Sequence, residues 1–203
     1  MKKGPDEGVR IIHETEKYRG HLSLDEIELE HRLFAGGWGT PIKREVVRRA
    51  NAVAVFPYDP VLDSVVTIRQ FRIGAWDNND DPWLRESVAG LIEDGEVAED
   101  VARRETLEEA GCEPRALIKI CEFYSSPGML SEFVDIYCGI VDASHGGGYH
   151  GLKDEGEDIE AAIVSWRDFE TELVSGGFRD CKLQLAGYWL LANRDKIRNE
   201  YGS

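Results

Sequence analysis

The chain has 203 residues, 42% of them hydrophobic and 31% charged, and a formal net charge of −15. That length sustains one globular core with room for a small appendage. The acid excess excludes a nucleic-acid backbone as partner, because phosphate contacts need a basic face, and no apolar run of about 18 residues exists to span a membrane.

Met1-Lys2-Lys3-Gly4-Pro5 lacks the apolar stretch of a secretory signal. Cys112, Cys121, Cys138 and Cys181 are scattered and never form C-x-x-C, so they read as reduced, mostly buried thiols of a cytoplasmic protein. The five histidines show no zinc-ligand spacing. In chain order, residues 9–12, 22–30 and 43–48 alternate or mix apolar and charged residues, as exposed antiparallel strands do. Residues 35–41 (A-G-G-W-G-T-P) form a turn-rich break. Three short strands bury too little to stand alone. Residues 1–48 are therefore expected to form a small N-terminal antiparallel β domain that leans on the main domain or on a second subunit.

Residues 49–203 are expected to form the main domain. Its first strands are 52–56 and 65–71, joined as in a hairpin, and 84–91 is one further strand. A helix over roughly 97–110 follows, with Gly111 as its stop. Strands 117–123 and 133–141 flank the segment 124–131. Residues 146–151 read as a flexible glycine hinge before the acidic run 154–158, which by composition alone is a solvated loop. A strand over 159–165 and helical spacing over 166–175 and 181–199 complete an α/β fold of mixed strands and helices.

The helix at 97–110 carries the chemistry. Glu105 and Glu109 are four residues apart and share a face, and Glu108 joins the same edge. Carboxylates held side by side repel one another unless a cation intervenes. A hard divalent cation such as Mg2+ takes oxygen ligands and can clamp pyrophosphate oxygens. It would also supply the positive charge that an acidic chain needs to dock a phosphate. Gly90 and Gly95 suit a loop that brings backbone close to a ligand.

Gly90, Glu96, Arg104, Glu105, Glu108, Glu109 and Gly111 stand at the spacing GX5EX7REUXEEXGU, with U a bulky aliphatic residue. The segment resembles the Nudix box, with Thr106 and Cys112 at the two U positions, where only packing should change. H-R-L-F at 31–34, K-R-E at 43–45, R-Q-F-R-I at 69–73, S-S-P-G at 125–128 and G-L-K-D-E-G-E-D-I at 151–159 extend the likeness, over residues 11–175, to the bacterial ADP-ribose pyrophosphatases of that family. Pro127, sixteen residues beyond Gly111, matches the downstream proline that marks this group.

The resemblance implies a Nudix-type α/β/α sandwich with a mixed sheet and metal-dependent hydrolysis of the diphosphate bond of ADP-ribose, giving AMP and ribose 5-phosphate. It implies two or three Mg2+ ions, with Mn2+ as a substitute, held by Glu105, Glu109, the carbonyl of Ala89 and Glu157, with Glu108 assisting. It makes Glu155 the catalytic base. Arg44, Glu45, Arg49 and Arg72 match positions that hold the substrate. Leu91, Ser126, Pro127, Gly128 and Glu132 match the ribose and phosphate side, and His21 stands near the position where the family stacks an aromatic ring on adenine. The resemblance also implies a homodimer in which the partner supplies Arg44 and its neighbours. Two alternatives stay open: another nucleoside diphosphate sugar such as GDP-mannose, and a non-catalytic ADP-ribose sensor, which the intact Glu105, Glu108 and Glu109 argue against.

Overall fold

The structure is a computed structural model that describes residues 8–152 and 156–202. The chain divides into two compact units, one of Met1–Asn51 with Tyr124–Phe133 and one of Ala52–Phe123 with Val134–Ser203.

In the first unit, β1 (Val9–Arg19), β2 (Ser23–His31) and β3 (Ile42–Arg48) form an antiparallel sheet in that order. β1 runs well past the expected end at residue 12. Nearly every residue of it is exposed, so neither face imposes the apolar alternation that marks a strand in sequence. The three strands are tied by charge: Arg48 pairs with both Asp25 and Glu14. The segment Tyr124–Phe133 docks on β3. Val47 N–H donates to the carbonyl of Met129 (2.8 Å), and Ser131 N–H donates to the carbonyl of Val47 (3.0 Å).

The second unit is built on an eight-stranded mixed sheet. β4 (Ala52–Asp59) and β5 (Ser64–Phe71) are followed by α1 (Ile73–Asp77), β6 (Trp83–Glu86), β7 (Val88–Leu91), α2 (Ala98–Ala110), β8 (Ala116–Tyr124), β9 (Phe133–Ile140), β10 (Gly148–His150), β11 (Ile159–Ser165), α3 (Trp166–Val174) and α4 (Cys181–Tyr201). The strand order is β10-β11-β5-β4-β9-β8, with β6 on β5 and β7 on β4. β4 and β9 run parallel; β4 and β5 are antiparallel.

β4 is buried throughout, and its period of two sends alternate side chains to opposite faces. Ala52, Ala54, Phe56 and Tyr58 join a core completed by α3 and α4, through Trp166, Phe169, Leu173, Leu183, Leu190 and Ile197. Val53 and Val55 join a second core completed by α2, through Val101, Ala102 and Ala110. Helices thus cover both faces of one sheet, which is the expected three-layer α/β/α arrangement with a mixed sheet.

Three elements depart from the expectation. The single strand at 84–91 is two strands that part at Ser87. β4 and β5 pair only at Tyr58–Val65 and Asp59–Ser64. They then diverge, and β6 and β7 fill the opening, one on each side. α1 has no buried residue and no apolar stripe to announce it. The flexible hinge at 146–151 is corrected: Gly148–His150 pairs with Ile159–Ala161 as an edge strand. Its glycines serve geometry instead, since Gly147, Gly148 and Gly151 have φ of 87°, 102° and 100°.

α4 is fastened to the β4–β5 turn. Asp63, at a left-handed φ of 53°, receives Arg194 and Arg198 as ion pairs and the hydroxyl of Tyr58 (2.8 Å). All four cysteines are free; Cys112 and Cys138 are buried and Cys181 is exposed. Among the described residues, no helix is long and apolar enough to cross a membrane.

Candidate active site

α2 begins one residue after Val97, carries Glu99 and Asp100 in its first turn and ends at Gly111, whose φ of 70° is left-handed. Thr106 is fully buried, with its hydroxyl satisfied by the Ala102 carbonyl (2.6 Å), and Cys112 packs in the α2-side core. The helix presents Glu109 to the interior, 3% exposed, and Glu105 and Glu108 at its margin. Ala89 N–H donates to Glu109 Oε2 (3.0 Å), which ties β7 to the helix. Gly90 lies so close that an added Cβ would fall 2.2 Å from Glu105 Oε1. Gly90 thus lies in β7 rather than in a loop, and a larger residue there would have to displace the Glu105 side chain.

Arg104 lies along the exposed edge and bridges Glu105 (2.8 Å), Glu108 (3.3 Å) and Glu96 (3.6 Å). Glu96 also accepts the Glu93 N–H (2.8 Å) and closes the loop before the helix. Glu157 Oε2 accepts from Leu152 N–H (3.2 Å). Arg72, just past β5, forks onto Glu86: Nε to Oε1 at 2.8 Å and Nη2 to Oε2 at 2.9 Å. Leu91 is half-buried in β7, paired with Ala52. Glu155 lies outside the described residues.

In the first unit, Arg44, Glu45 and Gly128 line one groove of about 490 Å³, together with Leu24, Lys43 and Met129. Arg49 pairs with Glu132 at 3.5 Å. The Ser126 carbonyl accepts from Met129 and Leu130 and shapes the loop in which Pro127 is exposed. Segments some eighty residues apart are thus joined within one unit. His21 is exposed at the β1–β2 turn and does not line the groove.

Electrostatics single out the second unit. Burial pushes the Glu109 carboxyl up to about 8, with the charges of Glu105 and Glu157 adding to it and the Ala89 N–H opposing it. Burial pushes Glu105 up to about 7, with Arg104 opposing and Glu108 and Glu157 adding. Two carboxyls raised by burial and by neighbouring glutamate charges are a donor set short of cation, and a hard divalent ion with oxygen preference fits it. Among the described residues, no three His, Cys, Asp or Glu side chains already form a metal cage; Glu105, Glu109 and Glu157 are turned to donors of the protein itself.

A pH dependence follows. Both carboxyls titrate above the 4.5 of an ordinary glutamate. Folding therefore favours their protonated forms, and the linked stability is present below that value and lost as pH rises through about 7 and 8. Metal-free protein should melt lower at pH 8 than at pH 5, and Mg2+ should raise the midpoint more at pH 8. A change of about 1 kcal/mol moves the midpoint by about 2–4 °C in a chain of this size. Calorimetry with chelator and with Mg2+ checks it; equal metal-free midpoints would remove the repulsion from the account.

The model of the NUDIX domain matches residues 48–176. The chain belongs to the Nudix family. It is 42% identical to the ADP-ribose pyrophosphatase of Escherichia coli strain K12, over 95% of this chain and 92% of the relative. It is 36% identical to that of Haemophilus influenzae, over 95% and 90%. A GDP-mannose pyrophosphatase of Cronobacter sakazakii is 38% identical over 70% of this chain and 74% of its own length.

No local sequence signal marks the buried charges near Arg72. Glu86 is 3% exposed and Asp180 is 6% exposed. Asp180 caps α4, accepting from Leu183 N–H (3.1 Å), and pairs with Lys182 at 2.7 Å. An isolated Glu in a strand and an Asp before a helix read as surface and cap. Only the fold brings them behind the Nudix carboxylates.

Proposed function

We propose that this Nudix enzyme hydrolyses the diphosphate bond of ADP-ribose to AMP and ribose 5-phosphate. The carrying observation is the pair Glu105 and Glu109, whose carboxyls are raised by burial and by neighbouring charges including Glu157, near Arg72, in a chain similar over 95% of its length to ADP-ribose pyrophosphatases. Glu105, Glu109, Glu157 and the Ala89 carbonyl would hold two or three Mg2+ ions, with Glu108 assisting; Mn2+ could replace Mg2+. When bound, the cations would supply positive charge at the diphosphate and make the attacking water more acidic. Glu155 takes the proton of that water as its oxygen bonds to phosphorus, and the bridging P–O bond breaks. Arg72 holds phosphate oxygens and Arg44 of the partner subunit joins it, since guanidinium matches them in bidentate fashion. Glu45, Arg49, Leu91, Ser126, Pro127, Gly128 and Glu132 bound the rest of the substrate, and His21 stacks on the base less strongly than a larger aromatic ring would.

Residues 1–48 serve as a dimerisation domain and 49–203 as the hydrolase domain of a cytoplasmic homodimer. The support is the open apolar surface of the N-terminal sheet, where Ile12 and Tyr18 are 51% and 61% exposed. Sedimentation at micromolar concentration should give a dimer; an active monomer would refute it.

The rival substrate is GDP-mannose, favoured by the relative from Cronobacter sakazakii. A panel of nucleoside diphosphate sugars with Mg2+, read as phosphate after coupled phosphatase, decides. ADP-ribose should give the highest kcat/KM. A clear win for GDP-mannose would transfer the assignment, and no turnover of any substrate would leave the sensor reading.

A further inference from the structure

We propose that Glu86 is a positioning residue for this reaction: its buried carboxylate fixes the Arg72 guanidinium so that the remaining Nη1 edge meets a phosphate of the substrate. This rests on the reading of Arg72 as a substrate contact.

Glu86 ends β6 opposite Ile68 and is 3% exposed. A carboxylate there is costly unless paired, and an apolar residue would suit the site better for stability alone. Its partner is Arg72, bound through Nε and Nη2. The Arg72 N–H also donates to the Pro82 carbonyl (2.7 Å). Backbone and side chain of Arg72 are therefore both anchored to one segment, from residue 82 to residue 86.

Among the described residues Nη1 makes no hydrogen bond, and the side chain is 42% exposed. The guanidinium feels the charge of Glu109 as well as that of Glu86, so Arg72 lies near the carboxylates that would hold the metal. Lys182, paired with Asp180, also feels the charge of Glu86. An arginine already ordered loses less freedom when the phosphate arrives.

The test is a double-mutant cycle on the full chain with Mg2+ and ADP-ribose: wild type, Glu86→Gln, Arg72→Ala and the double variant, with melting midpoints read alongside. Glu86→Gln should raise KM roughly tenfold, the size of an ordinary coupling between contacting residues, with kcat little changed. In the Arg72→Ala background it should raise KM no further. Glu86→Asp, which keeps the charge, should restore part of the affinity and provides a second cycle if Gln prevents folding. If Arg72→Ala raises KM but Glu86→Gln does not, positioning is refuted and the substrate contact stands. If the two effects multiply, Glu86 acts on the fold alone and the proposal fails. If Arg72→Ala leaves KM unchanged, the reading of Arg72 itself falls.

Discussion

Glu109→Gln is expected to cut kcat by about 10²–10³-fold while the fold persists. Metal clamping of a phosphoryl group is worth several kcal/mol in the transition state, and about 1.36 kcal/mol is a factor of ten in rate. Glu109 is the most buried of the box carboxylates, and among the described residues its donor is a backbone N–H from Ala89. Gln keeps an oxygen for that N–H and removes a charge that Glu105 and Glu157 oppose, so folding does not suffer. Glu105→Gln should behave alike, with Arg104 released from one partner. Initial rates at saturating substrate over a Mg2+ titration provide the measurement. A near-normal rate for either variant would mean that the metal is held elsewhere.

Glu155→Gln should lower kcat by about 10²–10⁴-fold, the usual worth of a positioned general base, with KM and the Mg2+ requirement close to wild type. Glu157→Gln should do something different and raise the Mg2+ concentration needed for half-maximal rate. The charge of Glu157 reaches Glu105 and Glu109, which suits it to the ion. Exchanged phenotypes would exchange the two roles. Two variants indistinguishable from wild type would make the acidic loop a solvated surface.

The elements legible in sequence were those with local causes. α2 was found within a residue because Gly111 stops it and the box spacing fixes its face. β4 is legible because its apolar run is short, rich in valine and followed by turn residues, which favours a buried strand over a helix. The break between β6 and β7 was hidden, since L-R-E-S-V-A-G-L reads as one strand and the change of partner is decided by the divergence of β4 and β5. β10 was hidden by its glycine and by its dependence on Ala161, thirteen residues ahead of Gly148. The site divides along the same line. The carboxylates of α2 declare themselves by helical spacing. Glu86, Asp180 and the attachment of Ser126–Glu132 to β3 arise from contacts between distant segments, which no local pattern records.

The two faces of the central sheet are covered at different points along the chain. The core beneath α2 has all its buried members once Ala161 is made. The opposite core waits for Leu183, Leu190 and Ile197. During synthesis one side of the sheet can close while Phe56, Ile136 and Ile140 on the other stay bare. A chain truncated near Ser165 would have one side of the sheet able to pack and a greasy plane on the other, the kind of intermediate that chaperones hold and that self-associates. The Asp63 clasp with Arg194 and Arg198 then has a temporal meaning: it seals the last face to form.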